Sequence, residues 1–270
     1  MIYVELCGGL GNQLFQYAIG RYFSIKYDTG LIFNIRNLKN FSTKRSYHLK
    51  NFNIDCKTTK SVNNVNIVFE RTFHYNPEIE VIVKNNSYLK GYWQSEKYFK
   101  SARNVILQEL TPKIKLSPLY YKYKDKINET LSVGIHIRRT DYLLKGNFEF
   151  HGVCSLEYYQ NAINYIKHKI NDIPTLFVFS DDISWAKDNF KKIGYSTYFV
   201  TSETNVLNTQ IDELLLMSLC KHNIIANSTF SWWAAWINQN VNKIVMAPKN
   251  WFSNNRVNSK DIFLSEWVKI

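Results

Sequence analysis

No window of about 18 uninterrupted apolar residues occurs in the 270-residue chain, so no segment reads as a membrane span. The opening Met1-Ile2-Tyr3-Val4-Glu5-Leu6 lacks a basic flank and runs straight into glycines, so it is read as a strand and not as a leader. Cysteine is scarce: Cys7, Cys56, Cys154 and Cys220 are scattered with no CxxC, which argues against a zinc site or a disulfide framework. The expectation is a cytosolic protein with reduced thiols. Also missing are a P-loop lysine, a DxD pair, a compact basic run and any RNA-recognition or zinc-finger signature. There is no internal repeat.

What is present is an ordinary globular composition, 45% hydrophobic and 21% charged, which excludes wholesale disorder. The charge is uneven. Of 34 Lys+Arg and 22 Asp+Glu, residues 1–130 hold 20 and 10, and residues 131–270 hold 14 and 12. Lys39, Lys44, Arg45, Lys50, Lys57 and Lys60 form one diffuse basic stretch, which suits either a solvated surface or a face for an anionic partner.

The pattern of elements is strand, glycine turn, helix, strand. Ile2–Leu6 alternates as a strand, and Asn12 is expected to cap a helix to about Tyr27 that carries Leu14, Phe15, Ala18, Ile19, Tyr22 and Phe23 on one face. Leu31–Ile35 is a second strand and Val65–Phe69 a further one, while residues 95–110 read as helical and 111–130 as a connection between lobes. The second half alternates more regularly. Strands are expected at 131–137, 175–180, 197–200, 223–226 and 244–247, and helices at 155–170, 183–190, 209–220 and 231–237. Such alternation makes doubly wound parallel sheets with functional loops at the strands' C-terminal ends. The fold class expected is α/β, two Rossmann-like lobes facing across a cleft, with domains at 1–130 and 131–270.

Four strand-end loops carry residues that are costly to explain by structure alone. Gly8-Gly9-Leu10-Gly11-Asn12-Gln13 half matches a dinucleotide fingerprint, but Leu14 takes the third glycine's place and the second strand ends Ile35-Arg36 without an acidic residue. It is a tight turn or an anion site at a helix N-terminus. His136-Ile137-Arg138-Arg139-Thr140-Asp141-Tyr142 sends two adjacent arginines to opposite sides of a strand end; a guanidinium suits a diphosphate, and equally could pair with Asp141 to tie down the loop. Ser180-Asp181-Asp182 offers carboxylates to a ribose or purine, or a helix cap. Asn227-Ser228-Thr229 enters a helix whose Trp232, Trp233 and Trp236 fit core packing better than a sugar platform. No His/carboxylate cluster supplies a metal site, so the reading is metal-free. Together the loops read as a nucleotide-diphosphate site in which arginines and helix N-termini neutralise a leaving group, a glycosyl-transfer design. A nicotinamide-dependent oxidoreductase would explain only the glycine turn, and a nucleic-acid-binding module only the charge.

These four motifs, in order and with His151-Gly152-Val153-Cys154-Ser155-Leu156-Glu157-Tyr158-Tyr159 between the second and third, resemble bacterial α-1,2-fucosyltransferases of glycosyltransferase family 11. The HxRRxD element is shared with α-1,6- and protein O-fucosyltransferases, while the opening and tryptophan motifs favour the α-1,2 branch. The resemblance spans Met1 to about Trp236, and residues 36–90, expected to face the acceptor, carry no placed motif. It implies a GT-B-like fold, GDP-β-L-fucose as co-substrate without a cofactor, and inverting transfer to the 2-OH of a terminal β-galactoside in surface polysaccharide or O-antigen synthesis. Another linkage or another GDP-sugar is the alternative. Carried onto this chain, Arg138 and Arg139 would bind the diphosphate, and His136 and Asp141 would organise their loop. Gly11, Asn12 and Gln13 would lie at the donor, Ser180, Asp181 or Asp182 at guanosine, and Asn227, Ser228 and Thr229 at the phosphates. Asp141, Glu149 and His151 are the candidates for the base, in that order. The basic first lobe is expected to face an anionic membrane or a lipid-diphosphate-linked acceptor, the protein being cytoplasmic and at most peripheral at the membrane's inner face. Nucleic acid is not an expected partner.

Overall fold

The computed structural model describes residues 1–39, 45–201, 209–254 and 256–270. The chain divides into two units, unit 1 from Met1–Ile114 with Asn258–Leu264 and unit 2 from Lys115–Val257 with Ser265–Ile270. Lys44 of the basic stretch lies outside the described residues.

Unit 1 runs β1 (Ile2–Glu5), α1 (Leu10–Lys26), β2 (Leu31–Asn34), β3 (Lys57–Thr59), β4 (Asn66–Phe69), α2 (Ile79–Ile82), β5 (Ser87–Lys90) and α3 (Arg103–Glu109). Its strands form one parallel sheet in the order β3-β2-β1-β5-β4. Ile2 and Val4 of β1 are buried, as are Leu14, Phe15, Tyr17, Ala18, Ile19 and Phe23 of α1. Gly8 sits at φ +76°, and a Cβ there would meet Asn12 Nδ2 at 2.4 Å, so the turn requires glycine. This left-handed residue lets the helix start earlier than expected: Gly9 is the N-cap and Asn12 lies inside the first turn. Arg21 donates through Nε to Glu109 Oε2 at 3.0 Å, with Nη2 2.8 Å from Oε1, and clamps α1 to α3 in the two-pronged geometry guanidinium favours. The returning segment 258–264 is fixed by buried Asp261, which accepts from the Tyr75 amide at 3.0 Å and pairs with Lys97. β3 and β5 were not expected; each is only three or four residues long, and β5 is hidden between Asn85-Asn86 and Gly91.

Unit 2 runs α4 (Pro118–Glu129), β6 (Ser132–Ile137), α5 (Lys145–His151), α6 (Leu156–Ile170), β7 (Thr175–Ser180), α7 (Ile183–Phe190), β8 (Thr197–Phe199), α8 (Thr209–Leu219), β9 (His222–Ile224), α9 (Thr229–Ile237), β10 (Val245–Ala247) and β11 (Val268–Lys269). The parallel sheet has the order β11-β10-β9-β6-β7-β8. Every residue of β6 is buried, as a central strand covered on both faces must be. Val133, Ile135 and Ile137 pack with Leu176, Val178, Ile224 and Met246 against the Tyr159, Ile163 and Ile166 face of α6. The Ser155 hydroxyl caps α6 through the Tyr158 amide at 3.1 Å, as its sequence position implied. Trp232, Trp233 and Trp236 have no exposed surface and serve the core.

The boundary falls at Ile114, not at residue 130. The stretch expected to link the lobes forms α4, because Pro118 occupies the first helical turn behind the Ser117 cap, where proline starts a helix instead of breaking one. α4 belongs to unit 2, where Tyr123 donates to Phe199 O at 3.1 Å and the Ser117 amide to Asp212 of α8 at 3.3 Å. With this division unit 1 holds 17 Lys+Arg against 9 Asp+Glu and unit 2 holds 17 against 13, so the charge asymmetry is milder than the sequence halves suggested. α5 is likewise an unexpected helix, and it places Glu149 and His151 on helical backbone instead of a loop.

Candidate active site

In doubly wound sheets the crevice lies outside the C-terminal ends of the strands where the winding reverses. In unit 2 the chain winds β6-β7-β8 one way and β9-β10-β11 the other, so that point is between β6 and β9. The loops leaving these two strands contain the arginine and Asn-Ser-Thr motifs.

The arginines are held by carboxylates. Arg138 Nη2 donates to Asp141 Oδ2 at 2.7 Å, its Nη1 lies 3.2 Å from Asp181 Oδ2, and its guanidinium lies over the Tyr142 ring at 5.6 Å. Burial alone would lower the Arg138 pKa, but the Asp141 hydrogen bond and the charges of Asp181 and Asp141 outweigh it and keep the group charged. Arg139 Nε reaches Asp182 at 3.3 Å, and its guanidinium stacks 4.1 Å from the Trp185 ring centre. Asp181 accepts from the Arg139 amide at 2.9 Å, the Thr140 amide at 3.3 Å and the Thr140 hydroxyl at 2.6 Å. Asp182 caps α7 through the Trp185 amide at 3.1 Å, and its own amide donates to the Ser180 hydroxyl at 2.9 Å. Asp181 and Asp182, expected at guanosine, are thus committed to shaping the arginine loop and starting α7.

His136 is buried within β6 with its ring 5.3 Å from that of Phe230, and its Nδ1 has no hydrogen-bond partner among the described residues. Burial, with help from Arg138, pushes its pKa down to about 3, so it is neutral at physiological pH. His151 stacks on Tyr142, ring centres 4.5 Å apart and planes 9° from parallel, and burial lowers its pKa as well. Glu149 is exposed on α5. Asn227 is a clamp: its side-chain Nδ2 donates to the carbonyls of His151 at 2.8 Å and Trp251 at 3.3 Å, while its backbone carbonyl accepts from the Tyr142 hydroxyl at 3.2 Å. Ser228 is the N-cap of α9 but makes no side-chain capping bond, and Thr229 opens the helix.

Unit 1 reverses its winding between β1 and β5. There Gln13 is fully buried and spent on local structure, donating to Gly8 O at 3.0 Å and Ser46 O at 2.9 Å and accepting from the His48 amide at 3.0 Å. Asn12 instead accepts from Gln94 Nε2 at 3.1 Å. Gly11 is buried in the first turn of α1. Among the described residues no group of three or more His, Cys, Asp or Glu side chains could hold a metal ion.

The model of "Glycosyl transferase family 11" matches residues 74–270. The chain belongs to glycosyltransferase family 11. It is 32% identical to an α-1,2-colitosyltransferase of Escherichia coli over all of this chain and 99% of that one. It is 33% identical to the O-antigen biosynthesis glycosyltransferase WbnK of the same organism over the whole of both. In fold it is similar to NodZ, an α-1,6-fucosyltransferase whose crystals were soaked with GDP-fucose, at TM-score 0.53 and 13% identity over 87% of this chain and 92% of that one. The two Rossmann-like units accordingly make this family-11 glycosyltransferase GT-B-like in class.

Several residues of the glycosyltransferase that frame these sites were not singled out from the sequence. Tyr142 and Trp185 are the aromatic faces against Arg138 and Arg139; Tyr142 stood inside a quoted motif, yet an aromatic shelf for an arginine has no fixed spacing. In unit 1, Glu70, Trp93 and Gln94 gather at the ends of β4 and β5. The visible signal was Gly91, a glycine directly after a strand as in the first motif, and it was lost because β5 went unrecognised.

Proposed function

We propose that this glycosyltransferase moves L-fucose from GDP-β-L-fucose, with inversion, to the 2-OH of a terminal β-galactoside, in the synthesis of O-antigen or a related surface glycan. The observation that carries the reading is the pair of guanidiniums leaving β6 at the winding reversal of unit 2, beside an α9 N-terminus whose Ser228 hydroxyl is not used as a cap. A departing GDP needs its developing charge met by fixed donors, and two forked cations with free helix amides supply them. Arg138 and Arg139 hold the diphosphate, Ser228 and Thr229 its oxygens, and the neutral His136 stiffens the strand behind them. Unit 2 is then the donor side and unit 1 the acceptor side.

The acceptor hydroxyl must lose a proton as C1 is attacked. Asp141 is the first candidate and lies 2.7 Å from Arg138; His151, neutral on α5, and Glu149, exposed on the same helix, are the others. pH–rate profiles of Asp141→Asn, Glu149→Gln and His151→Asn rank them, since a variant that keeps its turnover leaves the list. A second reading, with colitose, the 3-deoxy counterpart of L-fucose, as the transferred sugar, is favoured by the full-length likeness to an α-1,2-colitosyltransferase. A panel of GDP-fucose and GDP-colitose against type 1, type 2 and type 3 galactosides and lactose, with the linkage read by NMR, decides between them. The expected product is an α-fucosyl-(1→2)-galactoside; efficient transfer of colitose alone selects the second reading, and transfer of neither sugar overturns both. No helix of the described residues is long and apolar enough to cross a membrane. A lipid-diphosphate-linked acceptor and peripheral contact through unit 1 complete the proposal, and salt-insensitive partitioning onto anionic vesicles would remove the membrane contact from it.

A further inference from the structure

The winding reversal of unit 1 holds an arrangement that the diphosphate chemistry of unit 2 leaves unused. At the end of β5 the chain turns through Gly91-Tyr92-Trp93-Gln94, and Trp93 adopts φ +58°, a left-handed conformation that is strained for a bulky residue. The turn is held by Glu70, at the end of β4, whose carboxylate accepts from the Tyr92 amide at 2.6 Å and the Trp93 amide at 2.9 Å. Gly91 makes room for it: a Cβ there would lie 2.4 Å from Glu70 Cβ. The strained turn delivers Gln94 against the first turn of α1, where its Nε2 donates to Asn12 Oδ1 at 3.1 Å. The opposite edge of that amide, Gln94 Oε1, is buried and has no hydrogen-bond partner among the described residues, although the residue is only 6% exposed. A buried amide carbonyl left unpaired is costly, so a strained turn that ends in one suits a donor from outside the protein.

The surroundings say what kind of donor. Nearby strand ends carry the carboxylates of Glu5 and Glu70, and Lys90 at the end of β5 is paired with Glu5 at 3.4 Å. Carboxylates repel phosphate, and an unpaired amide carbonyl can only accept, so the group that suits this place is a hydroxyl donor. We infer that Gln94, oriented by Asn12 and by the Glu70-held turn, is a specificity residue that accepts a hydrogen bond from a hydroxyl of the acceptor galactoside other than the one that is fucosylated. This rests on the reading of unit 1 as the acceptor side.

The test is made on the whole protein with lactose and its monodeoxy-galactose analogues. For the wild type, one monodeoxy acceptor that retains the 2-OH is expected to show a KM raised about 10-fold or more, because a site built to bind a hydroxyl rejects its absence. Gln94→Ala is expected to raise the KM for lactose by about the same factor, leave the KM for GDP-fucose unchanged, and no longer distinguish that analogue from lactose. Glu70→Gln, which gives up one of the two amide bonds holding the turn, is expected to move the acceptor KM the same way by less. If every monodeoxy acceptor retaining the 2-OH serves the wild type as well as lactose, the inference is overturned whether or not the variants fold. An unchanged lactose KM in folded Gln94→Ala overturns it equally. If the wild type transfers no fucose, the proposed function fails first. Saturation-transfer NMR with lactose then decides the subsite alone: signal lost in Gln94→Ala upholds it, and no signal in the wild type refutes it.

Discussion

The two winding reversals of this chain are built on the same sheet logic and furnished with opposite chemistry. At the unit 2 reversal two arginines leave one strand and are steadied by three aspartates; at the unit 1 reversal the side chains are amides, tyrosines and glutamates. The backbone plan makes both places candidates for a ligand, and only the side chains explain which part of a sugar nucleotide reaction each could serve. Forked cations that keep their charge under partial burial suit a diphosphate, whereas amides and the carboxyl of Glu70, its pKa raised by burial, suit hydroxyls. Bulk charge does not make this distinction, since unit 1 carries the larger excess of lysine and arginine and yet offers no forked cation at its reversal among the described residues.

The largest test of the contrast is Arg138→Ala. Removing the guanidinium that faces both Asp141 and Asp181 is expected to lower turnover by about 10²–10³-fold or more, the scale of losing a preorganised charge donor. Arg138→Lys keeps the charge without the fork and is expected to fall between the two. Circular dichroism and thermal melting check that both variants fold. Near-wild-type transfer by Arg138→Ala would mean that the reversal in unit 2 is not where the leaving group is held.

Asp181 sharpens the comparison at a smaller scale. The resemblance places it at guanosine, while the hydrogen bonds commit it to the Arg139 amide and to both donors of Thr140. Asp181→Ala leaves those donors without their acceptor, and a loss of about 2–4 kcal/mol in stability is expected, with a raised KM for GDP-fucose. The discriminating readout is inhibition by GDP against ADP and UDP. If Asp181 shapes the loop, all three weaken together; if it reads the base, GDP weakens alone. This residue also shows what the sequence could and could not convey. Long, strongly periodic elements such as α6 and the buried strand β6 were readable from their spacing, and so was the placing of Asp181, Arg138 and Asn227 at strand ends. Which partner each side chain takes depends on groups about 40–85 residues away, as Asp181 with Arg139 and Tyr142 with Asn227 show, and no local pattern encodes that. Short β5 failed for a related reason: four residues carry too little periodicity to announce a strand, and with it went the Gly91–Gln94 turn.

A last comparison separates the units without any substrate. His136 of unit 2 is held neutral until about pH 3, whereas in the unfolded chain it takes a proton near 6.5. The unfolded state therefore binds more protons below about 6.5, and stability falls as the pH drops through that window, by at most about 1.4 kcal/mol per pH unit. Glu70 of unit 1 runs the other way. Burial raises its pKa to about 7, so the folded chain holds a proton that the unfolded chain releases near 4.3, and its stabilising contribution, present in acid, is lost as the pH rises from about 4.3 to 7. Denaturant unfolding of His136→Phe and Glu70→Gln across pH 4–8 reads both slopes. His136→Phe should flatten the acid-side decline, and Glu70→Gln should remove the loss toward neutral pH. Because the slopes have opposite signs, two variants that shift the profile in the same direction would show that these groups do not titrate in the environments that set the two reversals apart.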